Sequence, residues 1–299
     1  MPILSADARN VVSADFHTHT TASDGTATPE ELARTATDAG LSYLAVTDHD
    51  TAKAVGAVLA EAHRIGGLKI VPGVEISARG KPGSCHLLGL GVDYLRPSLN
   101  DTLADLLTAR NNRNELLADR LSKLGVPVTV AEVRGYAPIG ANLGRPHFAQ
   151  TLLAKGYVSS LQEAFERYLG DNAAGFIPKE DLSPADAIAL IHSVGGLSFL
   201  AHPGLLSLSQ HETMDTRIKA YKDAGLMGVE AYYSRHTPAE TNMFLRLAQK
   251  YDLLVTGGSD YHGANRPGTY LNRVLNEGTE PLPANLLPEI LLEKALGSV

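Results

Sequence analysis

The sequence predicts an α/β barrel-like core that carries a helical insertion. Seven short apolar runs rich in strand-forming residues are spread over the 299-residue chain, and capped helical stretches separate several of them. Near-continuous apolar strands that alternate with helices are typical of a parallel sheet with helices outside it. Over residues 98–181 the alternation stops and only helices are predicted, which indicates the insertion.

The predicted strands are short and apolar along their whole length. They cover residues 11–16, 43–47, 70–76, 86–92, 197–201, 228–233 and 253–256. In α/β barrels the functional side chains stand at the carboxyl ends of the strands, so a site is expected at those ends.

Three helices are predicted from one repeated start motif. Thr28, Ser183 and Thr237 each provide a hydroxyl N-cap, followed by a proline at the first helical position and an acid at the third. The hydroxyl satisfies a free backbone N–H, and the acid interacts favourably with the helix dipole. Gly40 and Gly195 follow two of these helices and supply the left-handed conformation that ends a helix.

The predicted insertion consists of four helices. They cover residues 98–124, 129–136, 146–155 and 160–169. Leucines recur at helical spacing in the first of them, which indicates an amphipathic face. We therefore predict a discontinuous barrel of residues 1–97 and 182–299, with a small helical domain of residues 98–181 arching over the active site.

Composition excludes several classes of protein. The net charge is −7, from 33 acidic and 26 basic residues, and no polybasic tail is present, so we expect no double-stranded DNA partner. No apolar run approaches the ~20 residues that span a bilayer, and the N-terminus lacks a signal-peptide pattern, so we expect a cytoplasmic protein without a membrane partner. Cys85 is the single cysteine, which excludes an internal disulfide and a multi-cysteine zinc site. The oligomeric state is left open.

Histidines and carboxylates recur at the same end of six predicted strands. The nine side chains are His17, His19, Asp24, His49, Glu75, His86, His202, Asp260 and His262. His17 and His19 are two residues apart, so their rings project from one face of an extended strand. Nine such groups exceed the needs of one tetrahedral ion and suit two or three divalent cations, with a hydrogen-bonded polar rim as the alternative.

The motifs that carry these residues resemble a known superfamily in order and spacing. The segments DFHTH, TDHD, VPGVE, HLLGLG, AHP and SDYH are similar to those of the PHP (polymerase and histidinol phosphatase) superfamily. This resemblance implies a distorted (β/α)7 barrel with a trinuclear metal centre and phosphoesterase activity. Mn²⁺ is the expected ion, with Fe²⁺ or Zn²⁺ as alternatives.

The resemblance also implies a ligand set for each ion. The first ion is assigned to His17, His19, Glu75 and Asp260. The second is assigned to Glu75, as a bridge, with His86 and His202. The third is assigned to Asp24, His49 and His262. Asp15 and Asp50 flank ligands, and we expect them to orient imidazoles.

A narrower branch of the superfamily is suggested by the insertion and by residues 144–147, Gly-Arg-Pro-His. That branch contains phosphoesterases that act on nucleoside 3′,5′-bisphosphates and on short RNA from the 5′ end. The predicted substrate-binding residues are Arg145, His147, Ser234, Arg235 and His236, of which His147 and His236 are also predicted to be catalytic. Arg110, Arg113, Arg120 and Arg134 are predicted to form the solvated face of a helix.

The leading hypothesis is hydrolysis of the 3′-phosphate of a nucleoside 3′,5′-bisphosphate by a metal-activated hydroxide. A 5′-3′ exonuclease on short RNA and a histidinol-phosphate-type phosphatase are alternatives within the superfamily. A metal-dependent amidohydrolase is another alternative, although no strand-end lysine is present to bridge its metals. The non-enzymatic alternative is a metal-stabilised nucleotide-binding module.

Overall fold

A curved eight-stranded sheet forms the centre of the computed structural model, which describes residues 13–80, 83–137, 142–171, 173–178 and 181–296. The strands are β1 (Ser13–Asp15), β2 (Tyr43–Val46), β3 (Lys69–Arg79), β4 (Ser84–Leu90), β5 (Leu197–Leu200), β6 (Gly228–Tyr233), β7 (Leu254–Gly258) and β8 (Leu282–Pro283). They are arranged in the order β7-β6-β5-β4-β3-β2-β1-β8. All seven predicted strands are present, although residues 11 and 12 of the first lie outside the described residues. The short β8, which pairs antiparallel with β1, was not predicted.

The sheet closes into a barrel where β1 meets β7. The Phe16 N–H donates to the Gly257 carbonyl at 3.0 Å, and just beyond the strands the Asp260 N–H donates to the His17 carbonyl at 2.8 Å. A methyl group on Gly258 would overlap the backbone and Cβ of His17, so only glycine permits this close approach. Closure therefore brings the end of β1 and the end of β7 to the same side of the barrel.

One strand runs against the predicted parallel arrangement. β4 pairs antiparallel with both β3 and β5, whereas the other neighbours among β1–β3 and β5–β7 are parallel. Only residues 80–83 separate β3 from β4, which is too short for the crossover that a parallel pair requires. The reversal places His86, near the start of β4, at the end of the barrel where the parallel strands finish. The predicted distorted barrel is confirmed.

Eleven helices are present in the described part of the chain. They are α1 (Pro29–Asp38), α2 (Val55–Ile65), α3 (Pro97–Lys123), α4 (Val130–Gly135), α5 (Arg145–Ala154), α6 (Leu161–Ala164), α7 (Pro184–Ser193), α8 (Met214–Asp223), α9 (Pro238–Lys250), α10 (Leu275–Gly278) and α11 (Glu289–Glu293). The three predicted caps form: Thr28, Ser183 and Thr237 accept from the backbone three residues later at 3.2, 3.1 and 3.3 Å. A π-helical turn, Phe165–Leu169, continues α6.

The longest helix, α3, belongs to two hydrophobic cores. Leu99 and Leu103 near its start pack into the core between the sheet and the outer helices. Leu117 and Leu121 near its end pack into a separate core with side chains of α5, such as Phe148. The helical segment is thereby joined to the barrel by one uninterrupted helix, and the domain limits at residues 98 and 181 stay a prediction.

Nothing in the described residues forms a helix with the length and apolar character that crossing a bilayer demands.

We expect Gly258→Ala to lower the free energy of unfolding by about 1–3 kcal/mol, because the added methyl group overlaps His17 at the closure of the barrel. Gly135→Ala is the matched control, since a Cβ at that helical position meets no atom within 4 Å. Chemical denaturation of both variants tests this expectation. Equal stability of the two variants would show that the closure tolerates a side chain.

Candidate metal centre

All nine predicted ligand side chains come together at one end of the barrel, around the buried carboxylate of Glu75. Its Oε2 atom lies 3.1 Å from Nε2 of His17, 3.2 Å from Nε2 of His19 and 3.1 Å from Nδ1 of His49. Its Oε1 atom lies 2.9 Å from Nδ1 of His86. One carboxylate thus contacts imidazoles from the segment after β1, from the loop after β2 and from β4.

The second half of this arrangement lies on the Oε1 side of Glu75. Nε2 of His202 lies 3.0 Å from Oε1 of Glu75 and 3.3 Å from Nδ1 of His86. His202 follows β5 with a φ of 28°, a conformation that L residues rarely adopt. The two oxygens of the Glu75 carboxylate therefore face different sets of histidines, and Glu75 is the residue that would be shared between two ions.

Asp24 and Asp260 complete the cluster on the side of β1 and β7. Oδ1 of Asp24 lies 3.2 Å from Nε2 of His262, and its Oδ2 lies 3.9 Å from Nε2 of His49. Oδ1 of Asp260 lies 3.3 Å from Nε2 of His19 and 3.3 Å from Nδ1 of His262. Asp260 also has a positive φ, 57°, and its Oδ2 accepts a hydrogen bond from the Tyr233 hydroxyl at 3.0 Å.

The arrangement of the donor atoms is better suited to binding divalent cations than to hydrogen bonds between the side chains. Several are fully buried and form no hydrogen bond with a described residue, among them Nε2 of His17, both ring nitrogens of His19, Nδ1 of His49, Oε2 of Glu75 and Oδ1 of Asp24. Buried polar atoms without partners are rare and costly, so these atoms are suited to be donors to a metal ion. Four overlapping groups of these residues bring their ligand atoms within 4.8 Å of one another. Imidazole and carboxylate donors suit Mn²⁺, Fe²⁺ and Zn²⁺.

Electrostatics keep the carboxylates charged despite their burial. Burial alone would raise the pKa of Glu75, but His49, His17 and His86 hold it well below the usual range. Burial likewise opposes ionisation of Asp24, whose pKa the nearby His262 and His49 bring well below normal. Burial, with the nearby His262, lowers the pKa of His19 to about 4, so this ring is neutral and able to donate a lone pair. The cluster therefore presents anionic oxygens and a neutral imidazole to a cation.

Glu230 orients two of the histidines, and the sequence analysis missed it. Its Oε1 atom lies 3.0 Å from Nδ1 of His17, and its Oε2 accepts a 2.6 Å hydrogen bond from the backbone N–H of His202. A carboxylate behind a ligating imidazole fixes the orientation and tautomer of the ring. The available signal was a single buried acid inside the apolar strand β6, away from the strand end.

The predicted role of Asp15 is wrong, and Asp50 supports the arginines beside the site. Asp15 accepts from the backbone amides of Ser259 at 2.9 Å and of His17 at 3.4 Å, so it joins β1 to the loop after β7 instead of orienting a ring. Asp50 accepts from the Ser77 amide at 2.8 Å and forms an ion pair with Arg110.

An arginine-lined cavity of about 210 Å³, which we call the arginine cavity, opens beside His49, His86 and Asp24. Its walls include five arginines: Arg79, Arg110, Arg113, Arg145 and Arg266. Four of them have carboxylate partners, since Arg79 lies 3.5 Å from Asp181, Arg145 lies 2.6 Å from Asp171, Arg110 pairs with Asp50 and Arg266 pairs with Asp260.

Arg113 is the exception in this cavity. It is only 8% exposed, its Nε donates to the side-chain oxygen of Asn114 at 3.1 Å, and it forms no ion pair with a carboxylate of the described residues. Burial lowers its pKa to about 9, with a contribution from the neighbouring Arg110 and Arg145. The prediction of a solvated face is therefore wrong for Arg110 and Arg113, because the middle of α3 lies over the barrel mouth, whereas Arg120 and Arg134 are exposed as predicted.

The predicted substrate-binding residues of the insertion occupy different positions. Arg145 lies in the wall of the arginine cavity, and its guanidinium also donates to the Leu169 carbonyl at 3.1 Å. His147 is fully buried, and its Nδ1 accepts from the Gly144 amide at 3.0 Å, which caps α5. Because that backbone N–H donates to Nδ1, the neutral ring carries its proton on Nε2, which forms no hydrogen bond.

Of the three predicted residues after β6, Ser234 and His236 are buried and Arg235 is exposed. Ser234 is buried and donates to the Ser259 carbonyl at 2.7 Å. His236 is held at both nitrogens, since Nδ1 contacts the Ala231 carbonyl at 3.2 Å and Nε2 accepts from the Gly204 amide at 3.2 Å. Arg235 is exposed. The contacts of His236 fit an anchoring role for this loop.

Comparison with known proteins agrees with this geometry. Residues 15–169 match the family model described as the PHP domain. The chain belongs to the PHP domain family. The protein is a metal-dependent phosphoesterase of that family, and its His, Asp and Glu side chains form candidate metal sites.

PHP relatives with named activities cover most of the chain. A 5′-3′ exoribonuclease Rnm of Escherichia coli is 34% identical over 86% of this chain and 87% of its own length. A 3′,5′-nucleoside bisphosphate phosphatase of Chromobacterium violaceum is 28% identical over 90% of this chain and 92% of its own. The crystal structure of a putative metal-dependent phosphoesterase of Bifidobacterium adolescentis superimposes with a TM-score of 0.82 at 30% identity, covering 95% of this chain and 96% of that one.

We expect Glu230→Gln to weaken metal binding about 10–100-fold, because an amide accepts only one of the two hydrogen bonds that Glu230 accepts. Excess Mn²⁺ restores its phosphoesterase activity, whereas Glu75→Gln stays inactive because it removes the shared ligand. Metal content by elemental analysis and activity over a Mn²⁺ titration measure the difference. Glu115→Gln, at an exposed position of α3, is the control. Unchanged Mn²⁺ affinity in Glu230→Gln would contradict a positioning role.

Proposed function

We propose that this phosphoesterase hydrolyses the bond between the 3′-oxygen and phosphorus of a 5′-phosphorylated nucleotide, with nucleoside 3′,5′-bisphosphates as the leading substrates. The observation that carries the proposal is the buried guanidinium of Arg113, which forms no ion pair with a described carboxylate and lies in a cavity that opens onto the candidate metal centre. A buried cation without a counter-ion is costly, and a phosphate group is the ligand that guanidinium matches best.

The charges around Arg113 favour a strongly anionic group over a neutral one. Each of the other four arginines of the cavity forms an ion pair with a carboxylate, so their charges are largely compensated. The charge of Arg113 is the one without a counter-ion among the described residues. A terminal 5′-phosphate placed there would supply the missing anion, while the second phosphate of the same nucleotide reaches the histidine and carboxylate cluster at His49 and His86.

The residues of the cluster are suited to hold two to three divalent cations. When bound, such cations lower the pKa of a water molecule and neutralise the phosphoryl oxygens during in-line displacement. Glu75, Asp24 and Asp260 supply the negative charge that retains the cations. In the overall reaction the water oxygen bonds to phosphorus, the bond from phosphorus to the 3′-oxygen breaks, and the 3′-oxygen takes a proton.

Of the two histidines predicted to be catalytic, His147 is the better candidate. Its Nε2–H is not engaged by any hydrogen bond, whereas both ring nitrogens of His236 are. His147 is buried and neutral, because burial lowers its pKa. We assign it a hydrogen bond to the substrate from Nε2, and we assign His236 to the support of the loop after β6.

A 5′-3′ exoribonuclease on short RNA is the second candidate function, favoured by the relatives of 34% identity that carry this name. The two reactions break the same bond. Removing a 5′-nucleotide from RNA also cleaves phosphorus from the 3′-oxygen of a 5′-phosphorylated nucleotide, and only the group attached to that phosphorus differs.

The test is a comparison of substrates with and without the 5′-phosphate in the presence of Mn²⁺. We expect Arg113→Gln to raise KM about 10–100-fold for adenosine 3′,5′-bisphosphate, since a charge-assisted hydrogen bond is lost. The same variant should change KM for adenosine 3′-monophosphate less than threefold, which also shows that the variant is folded. Arg120→Gln, exposed on the same helix, is the control.

Two results would contradict the proposal. The first is an equal change in KM for both substrates in Arg113→Gln, which would show that the 5′-phosphate does not bind in this cavity. The second is the absence of phosphate release from either nucleotide by the metal-loaded wild type.

A further inference from the structure

Arg266 lies where two cavities beside the candidate metal centre meet. One is the arginine cavity, and the other, which measures about 320 Å³ and which we call the side cavity, reaches the centre at Asp24 and His262. Among the described residues, Asp24 and Arg266 are the only charged side chains that line both cavities. A phosphate that reaches the centre through either cavity therefore comes close to Arg266.

A short turn fixes the position of Arg266. Residues 263–265 form a single 3-10 turn immediately before it. Asn265 in this turn donates to the backbone carbonyl of Asp24 at 2.7 Å and accepts from the side chain of Gln150 in α5 at 2.7 Å. Contacts with the segment after β1 and with the helical insertion thus hold Arg266 at the edge of the centre.

One nitrogen of the Arg266 guanidinium is anchored on the candidate metal ligand Asp260. Nη1 forms an ion pair with Oδ2 of Asp260 and lies 3.4 Å from the hydroxyl oxygen of Tyr233. The other oxygen of this carboxylate, Oδ1, faces the centre and lies 3.3 Å from Nε2 of His19. Nε and Nη2 of Arg266 donate to no described residue. The anchored guanidinium therefore has N–H donors left for a ligand in the cavities.

Arg266 also differs from the other arginines of the arginine cavity in its partner. Among the described residues, it is the one arginine of this cavity whose carboxylate partner is a candidate metal ligand. Its charge therefore lies next to the side chains that would hold the ions, whereas Arg113 is assigned to the 5′-phosphate. A guanidinium matches two phosphoryl oxygens and neutralises charge on a phosphoryl group during its transfer.

We propose that Arg266 is a catalytic residue that donates hydrogen bonds to the oxygens of the reacting phosphate. Charge redistributes over these oxygens as the water oxygen bonds to phosphorus and the bond to the 3′-oxygen breaks, and the guanidinium stabilises that charge. Arg266 keeps its protons, since the proton that the 3′-oxygen takes derives from the attacking water. This inference deepens the proposed function and rests on it, because it takes the 3′-phosphate to lie at the metal centre.

The experiment compares Arg266→Gln with Arg113→Gln on two substrates in saturating Mn²⁺. Arg266→Gln should lower kcat/KM about 100-fold for adenosine 3′-monophosphate and adenosine 3′,5′-bisphosphate alike, because both contain the reacting phosphate. Arg113→Gln should affect the bisphosphate far more than the monophosphate. Arg266→Lys keeps the charge without the planar fork and should lower kcat/KM less, about tenfold. Arg273→Gln, at an exposed position in the following segment, is the matched control.

Two further measurements separate contact with phosphate from support of Asp260. Titration calorimetry of the Mn²⁺-loaded protein with inorganic phosphate should give a dissociation constant about tenfold higher for Arg266→Gln than for wild type, since a charge-assisted hydrogen bond is lost. Tyr233→Phe removes the other hydrogen bond to Oδ2 of Asp260 but leaves the guanidinium, so it should bind phosphate as wild type does. Elemental analysis shows whether each variant carries its metal ions.

Three results would overturn the inference. They are an unchanged kcat/KM in Arg266→Gln, a loss confined to the bisphosphate, and a loss that excess Mn²⁺ restores and that Tyr233→Phe shares. The last result would make Arg266 a support of Asp260 alone. If the wild type hydrolyses neither nucleotide, the proposed function fails, whereas weaker binding of inorganic phosphate by Arg266→Gln would still support the contact between Arg266 and phosphate.

Discussion

The charge balance around Glu75 is the constraint on which the rest of the structure depends. A carboxylate with no exposure to solvent keeps its charge because five imidazoles surround it, and those imidazoles in turn need the carboxylate and a cation. The unusual features of the fold serve this arrangement. The reversed direction of β4 places His86 beside Glu75. The left-handed backbone conformations at His202 and Asp260 direct their side chains inward where the strands end.

The proposed function divides the site into two parts. In it, the histidine and carboxylate cluster would hold cations that stabilise the reacting phosphate, while the separate group of arginines would bind a phosphate that does not react. Four of the five guanidiniums of the arginine cavity have carboxylate partners, and Arg113 is the one without such a partner among the described residues. Positive charge is thus concentrated locally in a chain whose net charge is −7.

Most of the fold and the candidate ligands were predictable because their signals are local. Apolar runs, N-cap motifs and short strand-end motifs each lie within a few residues, and eight of the nine candidate ligands belong to such motifs, Asp24 being the exception. Glu230 was not predictable in this way, since it lies within a strand and contacts His17 across 213 residues of sequence. The inward position of Arg113 depends on what α3 packs against, and the direction of β4 depends on the brevity of residues 80–83. These features follow from tertiary packing, which periodicity does not encode.

The 27-residue helix α3 packs into the barrel core at Leu99 and into the core of the insertion at Leu121, and Arg113 lies between these two residues. A continuous helix has no hinge at the boundary between the two parts, so the insertion cannot swing open like a flap without breaking backbone hydrogen bonds. The middle of α3, with Arg113, therefore keeps a fixed position over the mouth of the barrel. The barrel and the insertion approach the candidate metal centre as one rigid frame.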